Sequence, residues 1–261
     1  MGHRDVVGVF VKAPLAGRVK TRLAADLGAR RAAELYRALG REVVSSCVDP
    51  AYATTVWFSP AGKEPTVRSW LRAVGRLAFQ AQPDGPLGTR LATAFDWHFR
   101  EGAPRVAIIG SDCPGVDRRL VSQAFDTLDT RDVVIGPAHD GGYYLIGLRA
   151  PAPGLFHGVA WSTPAVLGQT LALVHRLGLS AALLPTLRDV DTVSDARAAR
   201  LLPEDISGSA GGTAGHPAAM GGLAHRDDRD VEHHPIRNPD QSSRPAAVRL
   251  DPEVGLVHRE G

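Results

Sequence analysis

A strand–loop–helix unit opens the sequence at residues 5–28, which read DVVGVFVKAPLAGRVKTRLAADLG. Residues 5–11 form a continuous apolar run, as in a strand that is buried on both faces of a sheet. The basic loop that follows leads into a helical pattern over residues 23–48, for which we predict a break at Gly28. A buried strand that runs through a short loop into a helix is typical of an α/β fold.

The same alternation continues to about Leu202. Further strands are predicted over 53–58, 76–80, 106–110, 133–136, 143–148 and 181–184, and further helices over 67–74, 88–100, 120–128, 164–177 and 194–202. Strands that alternate with helices through short loops imply a mostly parallel sheet with helices on both faces. We expect the turn-forming residues 139–142, HDGG, to join two of these strands directly.

The character of the sequence changes after residue 203. Residues 204–261 contain a low-complexity run and hold five of the ten histidines. A segment so poor in aliphatic residues cannot offset the entropy of ordering itself. We therefore predict one folded α/β domain over residues 1–203 and a mostly disordered tail over 204–261, with metal binding by His233 and His234 as an alternative role for the tail.

Composition excludes several classes of protein. The only cysteines, Cys47 and Cys113, are too far apart for a CxxC zinc motif or a disulfide framework. No apolar run reaches the 18 or so residues of a membrane span, and the N-terminal run is too short for a signal peptide. We expect a soluble, cytoplasmic protein. The net charge of +2 is too small and dispersed for nucleic-acid binding, but it suits a small anionic ligand.

The loop after the first strand is a candidate phosphate site. It places four cations within eleven residues, and Gly17 shapes its turn; the cations are Lys12, Arg18, Lys20 and Arg22. In an open α/β sheet, ligands bind where a strand ends and a helix begins. The loop matches neither the P-loop nor the GxGxxG pattern. The alternative is a solvated basic loop.

Asp112 is a candidate metal ligand. It ends the apolar strand in residues 108–115, IIGSDCPG. A carboxylate at the end of a strand can hold Mg²⁺ or Mn²⁺, which is usually shared with the phosphates of a substrate. Alternatively, Asp112 initiates a turn and caps the helix that begins near Val116.

Two further segments carry carboxylates. In residues 136–144, GPAHDGGYY, the glycines allow the backbone to approach a ligand that Asp140 or a tyrosine contacts; a plain hairpin is the alternative. In residues 188–195, RDVDTVSD, Asp189 and Asp191 offer a second metal ligand. The alternative there is that Asp191, Thr192 or Ser194 caps the last helix.

Residues 82–91, QPDGPLGTRL, place Gly88 and Arg90 at the start of a helix. They either line the pocket on its nucleotide side or form only a helix-entry loop. Trp161 either packs against a ligand or fills the core. Neither a Ser/His/Asp arrangement nor an HExxH zinc motif can be assembled, and the lone His139 is more typical of a structural histidine.

Six blocks occur in a defined order: KAPLAGRVKTRLAADLG, QPDGPLGTRL, SDCP, HDGGYYLIGL, WST and DVDTVSD. Together they resemble the GT-A-like glycosyltransferases of the radical-SAM/selenodomain-associated or arsenosugar-biosynthesis type, which are related to the phospholactate and molybdenum-cofactor guanylyltransferases. The resemblance spans about residues 5–202. It implies an α/β fold of the GT-A, Rossmann-like nucleotide-diphosphosugar transferase type, a three-layer sandwich with a mixed, mostly parallel sheet.

The resemblance also implies roles for individual residues. The loop from Lys12 to Arg22 takes the place of the nucleotide-phosphate loop, and Asp112, in a single SDCP rather than an Asp-x-Asp, takes the place of the metal-binding aspartate. Asp191 would be the second carboxylate on the metal side. Asp140, Gly141 and Gly142 would face the transferred group. We further expect Tyr143 and Trp161 to contact the substrate.

Three functions are compatible with these residues. The first is a metal-dependent glycosyltransferase that uses Mg²⁺ or Mn²⁺, a nucleotide-sugar donor and a small-molecule acceptor, with Asp140 as a base. The second is a nucleotidyltransferase, in which a phosphorylated small-molecule acceptor attacks an NTP. The third is a nucleotide-binding module without catalysis. The sequence favours the first.

Overall fold

The structure is a computed structural model that describes residues 4–202 of the chain. The tail predicted over residues 204–261 lies outside the described residues. Within residues 4–202, no helix is both long enough and apolar enough to cross a bilayer.

Seven strands form one sheet in the described part of the chain: β1 (Val6–Lys12), β2 (Ala53–Ser59), β3 (Ala78–Ala81), β4 (Val106–Gly110), β5 (Val133–Pro137), β6 (Tyr143–Leu148) and β7 (Ala181–Leu183). Their order across the sheet is β3-β2-β1-β4-β6-β5-β7. The strand β6 is antiparallel to both β4 and β5, and the other pairs are parallel. The mixed, mostly parallel sheet is as the sequence predicts.

The helices that accompany these strands are α1 (Thr21–Leu27), α2 (Ala29–Ser46), α3 (Glu64–Leu71), α4 (Leu87–Arg100), α5 (Arg118–Leu128), α6 (Val166–Arg176) and α7 (Val193–Ala198). One core packs α1, α2, α3 and α5 against one face of the sheet, and a second core packs α4 and α6 against the other. Successive side chains of a strand point to opposite faces of the sheet. Along β4, Ala107 and Ile109 belong to the first core and Val106 and Ile108 to the second, so both faces of this strand are apolar and covered.

The predicted helix break is confirmed, and two helices have bounds that differ from the prediction by three residues or more. The break at Gly28 is confirmed, with a positive φ of 80° that separates α1 from α2. The helix predicted over 67–74 is α3, which begins earlier because Glu64 and Pro65 form a favourable first turn. The last helix, predicted to reach residue 202, ends at Ala198 after six residues.

The hairpin between β5 and β6 is confirmed, and it turns within the predicted residues. Gly141 has a φ of +87°, and the Gly142 N–H donates to Asp140 Oδ1 at 2.8 Å. The reversal inserts β6 between β4 and β5, so the turn that carries Asp140 lies at the edge where β4 ends. The hairpin alternative and the ligand-contact alternative are therefore compatible.

The second core contains a buried histidine, His98 on α4. Trp57 on β2 donates its indole N–H to His98 Nε2 at 3.0 Å, so this nitrogen carries no proton. Burial lowers the pKa of His98 to about 4. The folded protein therefore holds this imidazole neutral at a pH where an exposed histidine is partly charged.

We predict that His98 makes folding stability fall with decreasing pH. Between about pH 6.5 and pH 4 the unfolded chain binds a proton at His98 and the folded chain does not. The free energy of unfolding therefore falls by up to about 1.4 kcal/mol for each pH unit in this range. The variant His98→Gln retains an acceptor for Trp57 but does not titrate. Urea unfolding at pH 7, 6 and 5 should show a shallower loss of stability in this variant than in the parent. Parallel losses would contradict the assignment, and His175→Gln, at an exposed histidine of α6, is the control.

Candidate functional site

A cleft of about 610 Å³ lies at the carboxyl ends of β1 and β4. Eleven of the residues predicted for the site line it, namely Lys12, Lys20, Arg22, Arg90, Asp112, Asp140, Asp189, Asp191, Gly142, Tyr143 and Trp161. Four other predicted residues, Gly17, Arg18, Gly88 and Gly141, are not among the lining residues. The sheet therefore brings together segments that are up to about 180 residues apart in the sequence.

The loop after β1 gives the cleft a basic wall. Lys12 is the last residue of β1, and its backbone N–H donates to the Tyr36 hydroxyl at 2.9 Å. Gly17 and Arg18 are exposed, and Gly17 has a φ of +74°, so it shapes the turn as expected. The helix α1 has only seven residues. The cationic side chains rather than the helix N-terminus therefore supply most of the positive charge.

Lys20 joins the basic loop to two carboxylates. Its Nζ atom lies 3.2 Å from Asp112 Oδ2 and 2.7 Å from Asp191 Oδ1. Only 5% of the Lys20 side chain is exposed. Burial acts to lower the pKa of Lys20, but Asp112 and Asp191 outweigh this effect and raise it. Lys20 is therefore a fixed positive charge inside the cleft.

The capping alternatives for the two carboxylates do not hold. Asp117, not Asp112, caps α5 by accepting the Leu120 N–H at 2.7 Å. At α7 the capping alternative is confirmed for Thr192, which caps the helix in a reciprocal box with Asp195, and not for Asp191. The side chains of Asp112 and Asp191 therefore remain available to the cleft.

A third and a fourth carboxylate, Asp189 and Asp140, also line the cleft. Burial raises the pKa of Asp189, and the negative charges of Asp191, Asp140 and Asp112 raise it further. The acidic side of the cleft is thus held together at an electrostatic cost, which a cation would relieve.

Two of these carboxylates fit a divalent cation. Oxygens of Asp112 and Asp191 converge on one point, which the Lys20 ammonium occupies, and the two side chains are 43% and 36% exposed. Within residues 4–202, no cluster of three or more His, Cys, Asp or Glu side chains could enclose a metal ion. The arrangement suits Mg²⁺ or Mn²⁺ that is held by one or two carboxylates and completed by ligand phosphates and water.

Arg90 stands on the basic side and is held in place by its neighbours. Its Nε donates to the Gly85 carbonyl at 2.9 Å, and its Nη1 donates to Gln82 Oε1 at 3.2 Å. The buried Gln82 in turn donates to the carbonyls of Val11 and Trp57. The Arg90 guanidinium group is therefore oriented before a ligand binds, which lowers the entropy lost on binding an anion.

An aromatic wall closes another side of the cleft. Trp161 contacts Tyr143 edge-on, with ring centroids 6.3 Å apart. Gly88 lies beneath the indole, because a Cβ there would be 2.6 Å from Trp161 Nε1 and 2.8 Å from the Phe156 carbonyl oxygen. Gly141 permits a similar approach, since its Cβ would lie 2.3 Å from the Pro164 carbonyl oxygen. These two glycines thus position the wall rather than line the cleft.

Sequence reasoning missed three polar residues around the cleft. The hydroxyls of Tyr36 and Ser111 lie 2.9 Å apart, and Tyr36 also accepts the Lys12 N–H. Gln82 opens the loop of residues 82–91, and nothing in that sequence distinguishes it as a partner of Arg90. Tyr36 falls on the apolar stripe of α2, so its pattern indicates core, and no spacing identifies its hydroxyl as a partner of β1.

The architecture matches proteins of known structure. A solved structure from Desulfovibrio desulfuricans G20, a provisionally assigned nucleotide-diphospho-sugar transferase, is 34% identical, with a TM-score of 0.72 over 79% of this chain and 90% of that chain. Residues 43–163 match the family described as "Uncharacterized protein conserved in bacteria (DUF2064)". No curated protein matches the chain at a significant level.

Two further solved structures give weaker matches. A CMP:2-keto-3-deoxy-manno-octonic acid synthetase in complex with CTP is 12% identical, with a TM-score of 0.46 over 76% of this chain and 100% of that chain. Rv0371c from Mycobacterium tuberculosis H37Rv is 18% identical, with a TM-score of 0.45 over 76% of this chain and 98% of that chain.

The fold is of the GT-A-like, Rossmann-like class to which nucleotide-diphospho-sugar transferases belong. Within that class, the chain belongs to the family of the Desulfovibrio protein, to which it is 34% identical over the aligned residues.

We predict that Gly88→Ala destabilises the fold by displacing the Trp161 wall. The added Cβ would overlap the indole and the Phe156 carbonyl, and such overpacking costs about 1–3 kcal/mol. Gly168→Ala is a matched control, since that helical glycine of α6 has no atom within 4 Å of the added Cβ. It should change the free energy of unfolding by less than about 1 kcal/mol, in the stabilising direction.

Urea unfolding of both variants checks this prediction. In a Trp161→Ala background the cost of Gly88→Ala should shrink without vanishing, because the Phe156 carbonyl remains. Equal stabilities for Gly88→Ala and Gly168→Ala would show that Gly88 does not hold the wall.

Proposed function

We propose that this chain is a metal-dependent transferase that uses a nucleotide-activated sugar as its donor. The observation that carries the proposal is a single cleft with a basic wall and an acidic wall that meet at Lys20. A diphosphate needs cations, and a divalent metal ion needs carboxylates. The 34% identical relative named for nucleotide-diphospho-sugar transfer supports this reading, as do the blocks that resemble the radical-SAM/selenodomain-associated or arsenosugar-type transferases.

The basic wall would bind the diphosphate of the donor. Lys12 and Arg22 are exposed at the mouth of the cleft and free to follow a phosphate, whereas Arg90 is held by Gln82 and Gly85. Gly17 and Arg18 would support this loop from outside the cleft. A guanidinium group suits a diphosphate because it donates two parallel hydrogen bonds.

The acidic wall would hold Mg²⁺ or Mn²⁺ between Asp112 and Asp191. When bound there, the metal ion would neutralise charge that develops on the nucleoside-diphosphate leaving group. The protein contributes two half-exposed carboxylates on separate segments, which are linked by the hydrogen bond from the Val190 N–H to the Asp112 carbonyl at 3.0 Å. This bond fixes the spacing of the two side chains.

The face opposite the basic wall would bind the transferred group and the acceptor. Asp140 is exposed, and among the contacts of residues 4–202 only one of its oxygens is engaged, by the Gly142 N–H. Its other oxygen is available to accept a proton from an acceptor hydroxyl. Trp161 and Tyr143 offer an apolar surface to the sugar, and Gly141 and Gly142 keep the turn narrow beside it.

Ligand-induced stabilisation tests the choice of donor. Thermal unfolding of the full chain would be followed with Mn²⁺ and a panel of nucleotide sugars, nucleoside diphosphates and NTPs. A ligand that binds only the folded state raises its stability by RT ln(1 + [L]/Kd), about 2.7 kcal/mol at a hundredfold excess over Kd. We expect a Mn²⁺-dependent shift with a nucleotide sugar.

Other outcomes of this experiment separate the rival functions. A shift confined to an NTP, with pyrophosphate released when a phosphorylated acceptor is added, would establish nucleotidyl transfer instead. A shift without turnover of any donor and acceptor pair would point to a binding module. The absence of any shift would overturn the phosphate-binding assignment of the cleft.

We predict that Asp112→Asn lowers turnover by about 100-fold or more, because it removes a negative charge that the metal ion needs. Steady-state rates with the identified donor measure the effect, and thermal unfolding confirms that the variant is folded. The matched control is Asp96→Asn on α4, where the carboxylate is exposed and pairs only with Arg100 within one helix among the contacts of the described residues. A loss below about threefold in a folded Asp112→Asn protein would refute the role of Asp112.

A further inference from the structure

Lys20 lies at the point that a metal ion shared by Asp112 and Asp191 would take. Its ammonium contacts one oxygen of each carboxylate, at 3.2 and 2.7 Å, and the Lys20 side chain is almost fully buried. The backbone of Lys20 adopts the left-handed region, with φ 46° and ψ 52°, immediately before α1. This is an unfavourable conformation for a lysine, and the two ion pairs hold it in place.

We propose that Lys20 and a divalent cation exchange places on these two carboxylates. In the protein without metal, the Lys20 ammonium neutralises Asp112 and Asp191. Binding of the cation displaces Lys20 from both and frees its ammonium for the phosphates of the ligand. This inference rests on the metal site of the proposed function, and it adds that the site is built with its own competing cation.

Electrostatics supports an exchange over joint occupancy. Asp191 already has cations on both oxygens, with Lys20 on Oδ1 and Arg22 Nη1 3.6 Å from Oδ2. A doubly charged ion placed beside a buried ammonium would be repelled strongly, since like charges a few ångströms apart repel more where water is excluded. Arg22 can move away because 79% of its side chain is exposed. Only 5% of the Lys20 side chain is exposed, so the ammonium must leave both carboxylates before the cation can take its place.

In a different arrangement, Lys20 would be a permanent strut. The cation would take the remaining oxygens, and the ammonium would stay between the two carboxylates. Removing Lys20 would then relieve repulsion of the cation but also release the two carboxylates, and these effects oppose each other. Under exchange, removing Lys20 removes a direct competitor and tightens metal binding, and in the unmodified protein the ammonium leaves both carboxylates when the cation binds.

Binding of Mn²⁺ to the full chain in the absence of nucleotide is the first test. Electron paramagnetic resonance measures free Mn²⁺ in a titration. We expect Lys20→Met to lower the Kd for Mn²⁺ by about tenfold. The matched control is Lys12→Met, which removes the same charge from the same cleft but has no ion pair with either carboxylate among those found in residues 4–202. It should change the Kd by less than about threefold.

Nuclear magnetic resonance of the unmodified sequence is the second test, and it does not depend on the folding of a variant. The chain contains three lysines, Lys12, Lys20 and Lys63, so protein labelled with ¹³C-lysine gives three Cε–Hε cross-peaks. We expect the Lys20 cross-peak to shift as Mg²⁺ is added, and the midpoint of this shift should coincide with the midpoint of Mg²⁺ binding. The Lys63 cross-peak should stay in place.

The outcomes distinguish this inference from the proposed function. If neither the parent nor the variants bind Mn²⁺, the metal assignment of Asp112 and Asp191 fails and the exchange fails with it. If the parent binds Mn²⁺ but Lys20→Met leaves the Kd unchanged or raises it, the exchange is overturned and the metal site stands. A Lys20 cross-peak that does not move while Mg²⁺ binds overturns it in the same way.

Discussion

The ammonium group of Lys20 connects three segments that lie far apart in the sequence. It belongs to the loop after β1, and it pairs with Asp112 at the end of β4 and with Asp191 just before α7. Each carboxylate would repel the other without a cation between them, and burial together with the neighbouring carboxylates raises the pKa of Asp189 in the same wall. The shape of the cleft therefore depends on the balance of charge between Lys20 and the two carboxylates. The hydrogen bond from the Val190 N–H to the Asp112 carbonyl joins the same two segments through the backbone.

The sheet explains why these segments meet. Parallel strands place their carboxyl ends at one edge, and the central position of β1, between β2 and β4, puts the basic loop beside the end of β4. The antiparallel β6 then returns the chain from the hairpin at residues 139–142 and places Asp140 and Tyr143 at the same edge. Gly88 and Gly141 complete the enclosure, since each lets the segment around Trp161 approach more closely than a side chain would allow. The cleft thus follows from strand order together with two positions without a Cβ.

Much of this could be predicted from the sequence because the signals are local. Strand and helix periodicity gave the α/β class and the turn at residues 139–142, and the motif blocks placed Lys20, Asp112 and Asp191 in the site. The pairing of these three residues could not be predicted, because it depends on the left-handed backbone of Lys20 and on a contact across 171 residues of sequence. Gly88 shows the same limit. Its position before Arg90 indicated a ligand loop, whereas its packing partner, Trp161, is brought to it only by the fold.

The two sides of the cleft differ in how firmly they are held. Arg90 is held by Gln82 and Gly85, so its charge is oriented before any ligand arrives. Lys20 is held by two ion pairs as long as no metal ion displaces it from the carboxylates. Lys12, Arg22 and Asp140 are exposed, and Arg22 lies 3.6 Å from Asp191. Preorganised charge favours the part of a ligand that is common to all donors of one class, which in a nucleotide sugar is the diphosphate. If the proposed function holds, discrimination between sugars and between acceptors would fall to the surface around Asp140, Tyr143 and Trp161. Because Gly88 and Gly141 set the position of that surface, a change at either glycine would then alter substrate preference before it alters affinity for the nucleotide.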